Sequence, residues 1–270
     1  MLTQQEAEKL TILRAVVGST AHGLNVKDGI EDRDEMGVLI EPLRAAMGFS
    51  EFEQYIYRSA AEREHRQDAP SKAGDLDLVL YGLRKFCRLA LKGNPSILAL
   101  LFTEPLMCDA LGGQLRDLAP AFVSRKAGGA FLGYLQAQRQ RLLGERGGKD
   151  VRRPTLEAAY GFDTKYAMHM CRLGLQGIEL LTTGRMTFPV AEPERSWLRA
   201  LRVGQVSEQE ALTRAGELER ELKDACETSP LPKEPDTETV EKWMCRVYLE
   251  NWKALDCWWT EYPSLRRETS

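Results

Sequence analysis

Residues Val16–Pro42 read VVGSTAHGLNVKDGIEDRDEMGVLIEP. A β-branched apolar run ends at Gly18-Ser19, a polar, turn-rich segment follows, and Asp32 and Asp34 then stand at the mouth of a second apolar run, Met36-Gly37-Val38-Leu39-Ile40. Side chains two positions apart on an extended strand project from the same face of a sheet. The Asp-x-Asp pair can therefore share one or two divalent cations. Hard carboxylate oxygens suit Mg²⁺ (or Mn²⁺), which binds through one or two carboxylates together with substrate phosphates. Gly18 allows close approach of the backbone to a phosphate chain, and Ser19 can hydrogen-bond it. Ser19-Thr20-Ala21-His22 can also open a short helix whose free N–H groups face an anion. The stretch outlines a metal and phosphate site.

Upstream, Ile12–Val17 (ILRAVV) reads as a buried strand, preceded by a short helix whose capping box is Thr3-Gln4-Gln5-Glu6. Downstream, Pro42 stops the second strand. Between Phe49 and Gly74 aromatic residues mix with charges, and Pro70, Ser71 and Gly74 interrupt any pattern, so part of this segment is expected to be a mobile or partly extended loop. Strict alternation returns at Asp75–Tyr81 (DLDLVLY), with Asp75 and Asp77 on one face and Leu76, Leu78 and Leu80 on the other. This is a third strand carrying acid, and either aspartate can complete the metal cage. Helical spacing follows through Leu83, Phe86, Cys87, Ala90 and Leu91, and Gly93-Asn94-Pro95 separates that helix from SILALLF.

After Pro105 helical patterns dominate. The expected division is a catalytic domain over 1–118 and a helical domain over 119–270 that binds nucleotide or acceptor. Helices are expected over Ala127–Leu143, over Thr155–Thr183 as the longest pattern with Gly184 as its stop, over Ser207–Thr228, and over Thr237–Trp259 after the proline-rich SPLPKEPD. Lys165, His169 and Arg172 fall at i, i+4 and i+7 and line one helix face, where they can meet NTP phosphates or an RNA backbone. The plainer reading is a solvated basic face. The segment Arg146–Arg153 is cationic and glycine-rich, as a polyanion contact or an ordinary surface loop is. The C-terminal tryptophans Trp243, Trp252, Trp258 and Trp259 read as a helix-packing face in preference to a base-stacking platform.

Composition narrows the classes. The chain has 270 residues, 43% hydrophobic and 29% charged, as an ordered globular protein does. A formal net charge of -3 excludes the overall basic field of a sequence-independent nucleic-acid binder. Six scattered cysteines without a C-x-x-C pair read as reduced core residues, with no zinc site or disulfide framework. MLTQQEAEKL is not a secretion signal, and no apolar run is long enough to span a bilayer, so a cytoplasmic location without a membrane partner is expected.

The pattern Gly18-Ser19-x-Ala21-x-Gly23-Leu24 followed by Asp32-x-Asp34-x-x-Gly37-Val38 resembles the signature of the DNA polymerase β-like nucleotidyltransferase superfamily. Asp77-Leu-Val-Leu-Tyr-Gly-Leu-Arg-Lys-Phe86, Gly93-Asn94-Pro95, Lys165-x-x-x-His169-x-x-Arg172 and Leu180-Leu181-Thr182-Thr183-Gly184 resemble, more narrowly, a bacterial and phage nucleotidyltransferase family with members associated with RNA repair. The resemblance spans about Val16–Gly184 and favours Asp77 over Asp75. It implies an α+β fold, a mixed sheet flanked by helices with an α-helical C-terminal domain. It implies transfer of a nucleoside monophosphate from an NTP such as ATP to an acceptor hydroxyl, an RNA end such as tRNA or broken RNA, with release of pyrophosphate. Asp32, Asp34 and Asp77 would hold two metal ions and do the catalysis, and Gly18, Ser19, Lys165, His169 and Arg172 would hold the nucleotide. Glu31 stands where relatives often carry serine, and Ala99 where an acid is common. The rival readings are a silent NTP- or RNA-binding regulatory module and a protein-AMPylating partner of a toxin.

Overall fold

The structure, a computed structural model, describes residues 2–25, 33–49, 52–66, 74–146 and 153–254. Asp32, Pro70 and Ser71, residues 147–152 of the basic segment, and Trp258 and Trp259 lie outside the described residues. The chain adopts a mixed α/β fold, as expected. Five strands form one sheet in the order β3-β4-β2-β1-β5, with β1 at Thr11–Val16, β2 at Arg33–Leu39, β3 at Gln54–Arg58, β4 at Leu76–Gly82 and β5 at Pro105–Cys108. Among the described residues only β2 and β4 run parallel; β1 pairs antiparallel with β2 and β5, and β3 with β4.

Local chemistry sets the element ends. In α1 (Gln4–Lys9) Glu6 N–H donates to Thr3 Oγ1 at 3.3 Å and Thr3 N–H to Glu6 Oε2 at 2.7 Å, which closes the expected capping box. The Gly-Ser turn opens the four-residue α2 (Gly18–Ala21), and α3 (Leu43–Met47) follows β2. After β4 come α5 (Leu83–Leu91) and α6 (Pro95–Phe102), the latter capped by Asn94 Oδ1, which accepts from the N–H groups of Ser96 and Ile97 at 3.1 and 3.2 Å.

Two details in the first half go beyond the expectations. The segment 49–74 is not simply a loop: Gln54–Arg58 is the edge strand β3 and Ser59–Glu64 the helix α4. Gln-Tyr-Ile-Tyr-Arg is a β-former interrupted by charge, which alternation alone cannot separate from a polar loop. The residues after Pro105 do not turn wholly helical, because Pro105–Cys108 adds β5 to the free edge of β1. A proline at its start is compatible with an edge position.

The helical half carries α7 (Ala110–Asp117), α8 (Ala119–Phe122), α9 (Lys126–Leu142), α10 (Pro154–Tyr160), α11 (Thr164–Thr183), α12 (Glu194–Arg202), α13 (Glu208–Thr228) and α14 (Thr237–Ala254). The pattern expected to run unbroken over Thr155–Thr183 is split. Gly161, at φ +83°, ends α10, and Asp163 caps α11 by accepting from the N–H groups of Lys165 and Tyr166. Gly184 ends α11 as expected. α11 is the central post, packed by α9, α12 and α13. Gly174 and Gly177 let it close on them, since a Cβ there would meet Leu218 Cβ at 2.8 Å and Phe131 Cβ at 2.9 Å.

One apolar cluster runs from Leu13, Val38 and Phe86 beside the sheet to Phe131, Met170 and Leu218 among the helices. A smaller one, Ala7, Leu39, Leu78 and Leu80, fills the other face beneath α1. Each fully buried leucine there contributes about 1.5–3 kcal/mol. α14 returns to the sheet: Tyr248 Oη donates to the buried Glu41 at 2.6 Å and accepts from Arg84 N–H at 3.1 Å. Trp243 is buried in the same contact, as a packing residue, with its indole N–H on Gln114.

Candidate active site

The Gly-Ser turn sits directly on the acidic strand. Val17 N–H donates to Asp34 C=O at 2.9 Å, and Gly18 adopts φ +66°, a left-handed conformation costly for side-chain-bearing residues. A Cβ on Gly18 would come within 2.4 Å of Asp34 Oδ2. The glycine thus makes room for a carboxylate tucked under the turn, and Ser19, partly exposed, follows at the rim.

Across the sheet, Asp34 on β2 is in register with Asp77 on the parallel β4, and Asp77 is in register with Arg58 on β3. Neighbours in register share a face, so the two carboxylates stand side by side. Arg58 Nε lies 3.1 Å from Asp77 Oδ1. Asp75, the other candidate, has a different setting. It precedes the strand, is 6% exposed, and accepts from Ser59 Oγ at 3.0 Å and from both terminal nitrogens of Arg63. Ser59 Oγ in turn takes Leu76 N–H at 2.9 Å, so Asp75 closes the junction between α4 and β4.

Lys165, His169 and Arg172 do share one face of α11, but His169 and Arg172 are not a solvated charge stripe. Arg172 Nη1 donates to His22 Nε2 at 2.7 Å and to Gln176 Oε1 at 2.7 Å, and the Gln176 amide lies 3.2 Å from His22 Nδ1. A guanidinium can only donate, which makes His22 Nε2 an acceptor and the ring neutral. Burial, then the nearby Arg172, holds the His22 pKa well below the usual histidine value. His169 is pushed the same way by burial, with Arg172, Lys165, Arg153 and Arg202 adding to it. Burial lowers even Arg172, to about 10, so it remains a cation at neutral pH.

Among the described residues His169 Nδ1 and Arg172 Nε are buried without a hydrogen-bond partner. Arg153 is held by Asp163 at 3.1 Å and stacks on Tyr166, and Arg202 donates to Thr164 Oγ1 at 3.0 Å. Arg172 is half-buried and its described hydrogen-bond partners are neutral, so an anion would be a favourable further partner. Arg172, Lys165, Arg153 and Arg202 all stand near His169, with Arg153 already paired to Asp163; a wall of this kind is suited to phosphate.

His22 joins wall to floor. It is the C-cap of α2, four residues after Gly18, and its ring holds α11. From sequence it reads as a turn cap, which it is; the histidine after a Gly-Ser turn and the Arg172/Gln176 i, i+4 pair are the signals that escape a one-dimensional reading. Arg58 is missed because its segment reads as loop. A cavity of about 790 Å³, lined by Arg116, Val123, Thr183, Gly184 and Pro232, contains none of these residues and sits at the far end of α11.

The model of the RlaP family, described as the RNA repair pathway DNA polymerase beta family, matches residues 2–246. The chain belongs to this family. The RlaP match extends past both ends of the motifs legible in the sequence, taking in α1 and most of α14. RlaP proteins are polymerase β-like nucleotidyltransferases linked to RNA repair, which implies a nucleotide substrate and an RNA context for the site. Among solved structures this RlaP chain is similar to a nucleotidyltransferase-like protein from Exiguobacterium sibiricum 255-15, at 11% identity over 91% of this chain and 77% of that one, with a TM-score of 0.30. No curated protein matches it. No helix among the described residues is long and apolar enough to cross a membrane.

Proposed function

We propose that the chain is a Mg²⁺-dependent nucleotidyltransferase that moves a nucleoside monophosphate from an NTP to a hydroxyl at an RNA end. The observation that supports this most is the juxtaposition at Gly18: Asp34 lies under the turn and in register with Asp77, while His22 ties the same turn to the uncompensated Arg172.

The residues present fit the metal. Two carboxylates from adjacent strands share a face, the glycine leaves Asp34 Oδ2 uncovered by any Cβ, and all-oxygen donors suit Mg²⁺ or Mn²⁺. Asp34 and Asp77 would hold it together with Asp32. When bound, the ions lower the pKa of the acceptor hydroxyl and offset charge on the phosphates. The chain's own groups do the rest. The Gly18 backbone and Ser19 hold the triphosphate at the turn, and Lys165, His169 and Arg172 meet it from the wall. His22 and Gln176 fix the guanidinium so that its remaining N–H groups aim at phosphate oxygens. The acceptor oxygen attacks the α-phosphorus, its proton passes to solvent water, and the bond from the α-phosphorus to the pyrophosphate oxygen breaks.

The test is incubation with each α-labelled NTP, Mg²⁺ or Mn²⁺ and a pool of RNA ends, with products resolved by mass. Wild-type protein is expected to label RNA and release pyrophosphate, and Asp34→Asn to do neither while unfolding at the same temperature. Label found on protein alone, or pyrophosphate release undiminished in Asp34→Asn, would overturn the reading.

A further inference from the structure

The Gly-Ser turn does not hold itself. α2 has four residues, its N-cap Val17 supplies no side-chain cap, and a helix this short is not stable alone. Its shape is supported from outside by the connector between α11 and α12, residues 185–193. Val190 N–H donates to His22 C=O at 3.2 Å, and the Phe188 ring lies 5.1 Å from the His22 ring, tilted by 38°. Gly23 lets this segment close on the turn, since a Cβ there would meet Pro189 Cβ at 2.8 Å and Arg195 Cδ at 3.1 Å.

The connector is itself anchored. Met186 and Val190 are buried, Phe188 packs against the main apolar cluster, and Glu192 accepts from Ser196 N–H at 3.0 Å and pairs with Arg195 at 2.8 Å. His22 is thus held at three points: its backbone by Val190, its ring face by Phe188, and its ring nitrogens by Arg172 and Gln176. The other charged or titratable groups around the turn are His169 of α11, Arg195 of α12, already paired with Glu192, and Asp34 of β2 beneath Gly18.

We propose that Phe188 is a positioning residue: with Val190 it seats His22 at the turn so that Nε2 faces Arg172 and the guanidinium is held in place. The inference deepens the nucleotidyl-transfer reading, on which it rests for what that guanidinium binds. Phe188 acts through His22, by covering the ring against water. With that cover removed the imidazole is hydrated and takes up a proton near the ordinary histidine value. Nε2 then carries a hydrogen, can no longer accept from Arg172, and places a second cation beside the guanidinium. Burial, then Arg172 and His169, oppose that charge in the intact protein.

The chain has three histidines, so the His22 signal in an NMR spectrum can be assigned with His22→Gln and followed against pH without substrate. It is expected not to titrate above about pH 5.5 in wild-type protein or in Phe188→Tyr, which keeps the ring, and to titrate with a midpoint near about 6.5 in Phe188→Ala. Phe188→Leu, which drops the ring and keeps apolar bulk, moves in the same direction and carries the test if the alanine variant fails to fold. Calorimetry with α,β-methylene-ATP and Mg²⁺ is the second readout, each variant being compared with wild type at the same pH so that the nucleotide's own protonation cancels. Phe188→Ala should bind about threefold more weakly at about pH 8 and at least about tenfold more weakly at about pH 6. In the transfer assay its KM for NTP rises while kcat per folded molecule stays within about twofold of wild type. A His22 signal that titrates no more in the alanine or leucine variant than in wild type, or a loss of nucleotide affinity equal at both pH values, overturns the proposal. Nucleotide that fails to bind wild-type protein, with His22 titrating only in those variants, breaks the nucleotidyl-transfer reading and upholds the seating of His22 by Phe188.

Discussion

The acidic floor and the basic wall of the candidate site are built in opposite ways. Asp34 and Asp77 stand partly exposed on a rigid parallel strand pair, with Arg58 beside Asp77. Arg172 and His169 are half-buried in the helix bundle, each with one buried nitrogen that no described group satisfies. The floor is stable without substrate. The wall presents preorganised donors to an anion, which is how a phosphate site gains affinity. The difference teaches that the floor is set by strand register and an ion pair, whereas the wall is set by hydrogen bonds from a half-buried cation to neutral side chains.

The sharpest break is Asp34→Asn. Loss of one metal-binding oxygen is expected to reduce pyrophosphate release about a thousandfold or more, with the unfolding midpoint unchanged in a thermal melt. Next, Arg172→Met replaces the half-buried cation with a neutral chain of similar length. It should raise the KM for NTP about 10- to 100-fold and, by leaving His22 Nε2 and Gln176 Oε1 without their donor, cost about 1–3 kcal/mol of unfolding stability; steady-state kinetics and urea unfolding read the two. A comparison within the acids is subtler. Asp77→Asn should remove activity and spare stability, while Asp75→Asn should cost about 1–3 kcal/mol by loosening Arg63 and Ser59, with turnover per folded molecule retained.

The smallest effect is on pH dependence. Burial holds the pKa values of His22 and His169 well below the ordinary 6.5. Below that value the unfolded chain binds protons at these sites and the folded chain does not, so stability falls as pH drops through the window beneath about 6.5. His169→Gln should flatten the slope of unfolding free energy against pH in that window, and a slope identical to that of the wild type would show His169 to be protonated in the fold.

Much of this was legible before any coordinates. Strands β1, β2 and β4, the Gly-Ser turn, the Thr3–Glu6 capping box and the Gly184 stop follow from local rules, because alternation, capping and left-handed glycine are properties of a few adjacent residues. β3 and β5 were not, because each is a short edge strand whose pairing partner is distant in sequence: Gln54–Arg58 lies against β4 and Pro105–Cys108 against β1. Gly161 was overlooked inside a helical periodicity because the pattern resumes in phase with the apolar face beyond it.

The sequence by itself determined the chemistry on offer: which side chains carry charge, that a glycine precedes the serine, that Lys165, His169 and Arg172 share a helix face. Alternation put Asp75 and Asp77 on equal terms, and the family likeness alone favoured Asp77. Tertiary structure decided what each is next to. It paired Asp75 with Arg63, set Asp77 beside Asp34, and ran His22 into Arg172, a contact across 150 residues. Local periodicity carries the direction of a side chain, but burial and desolvation depend on what other segments bring to it, and those are long-range quantities that no window of neighbouring residues contains.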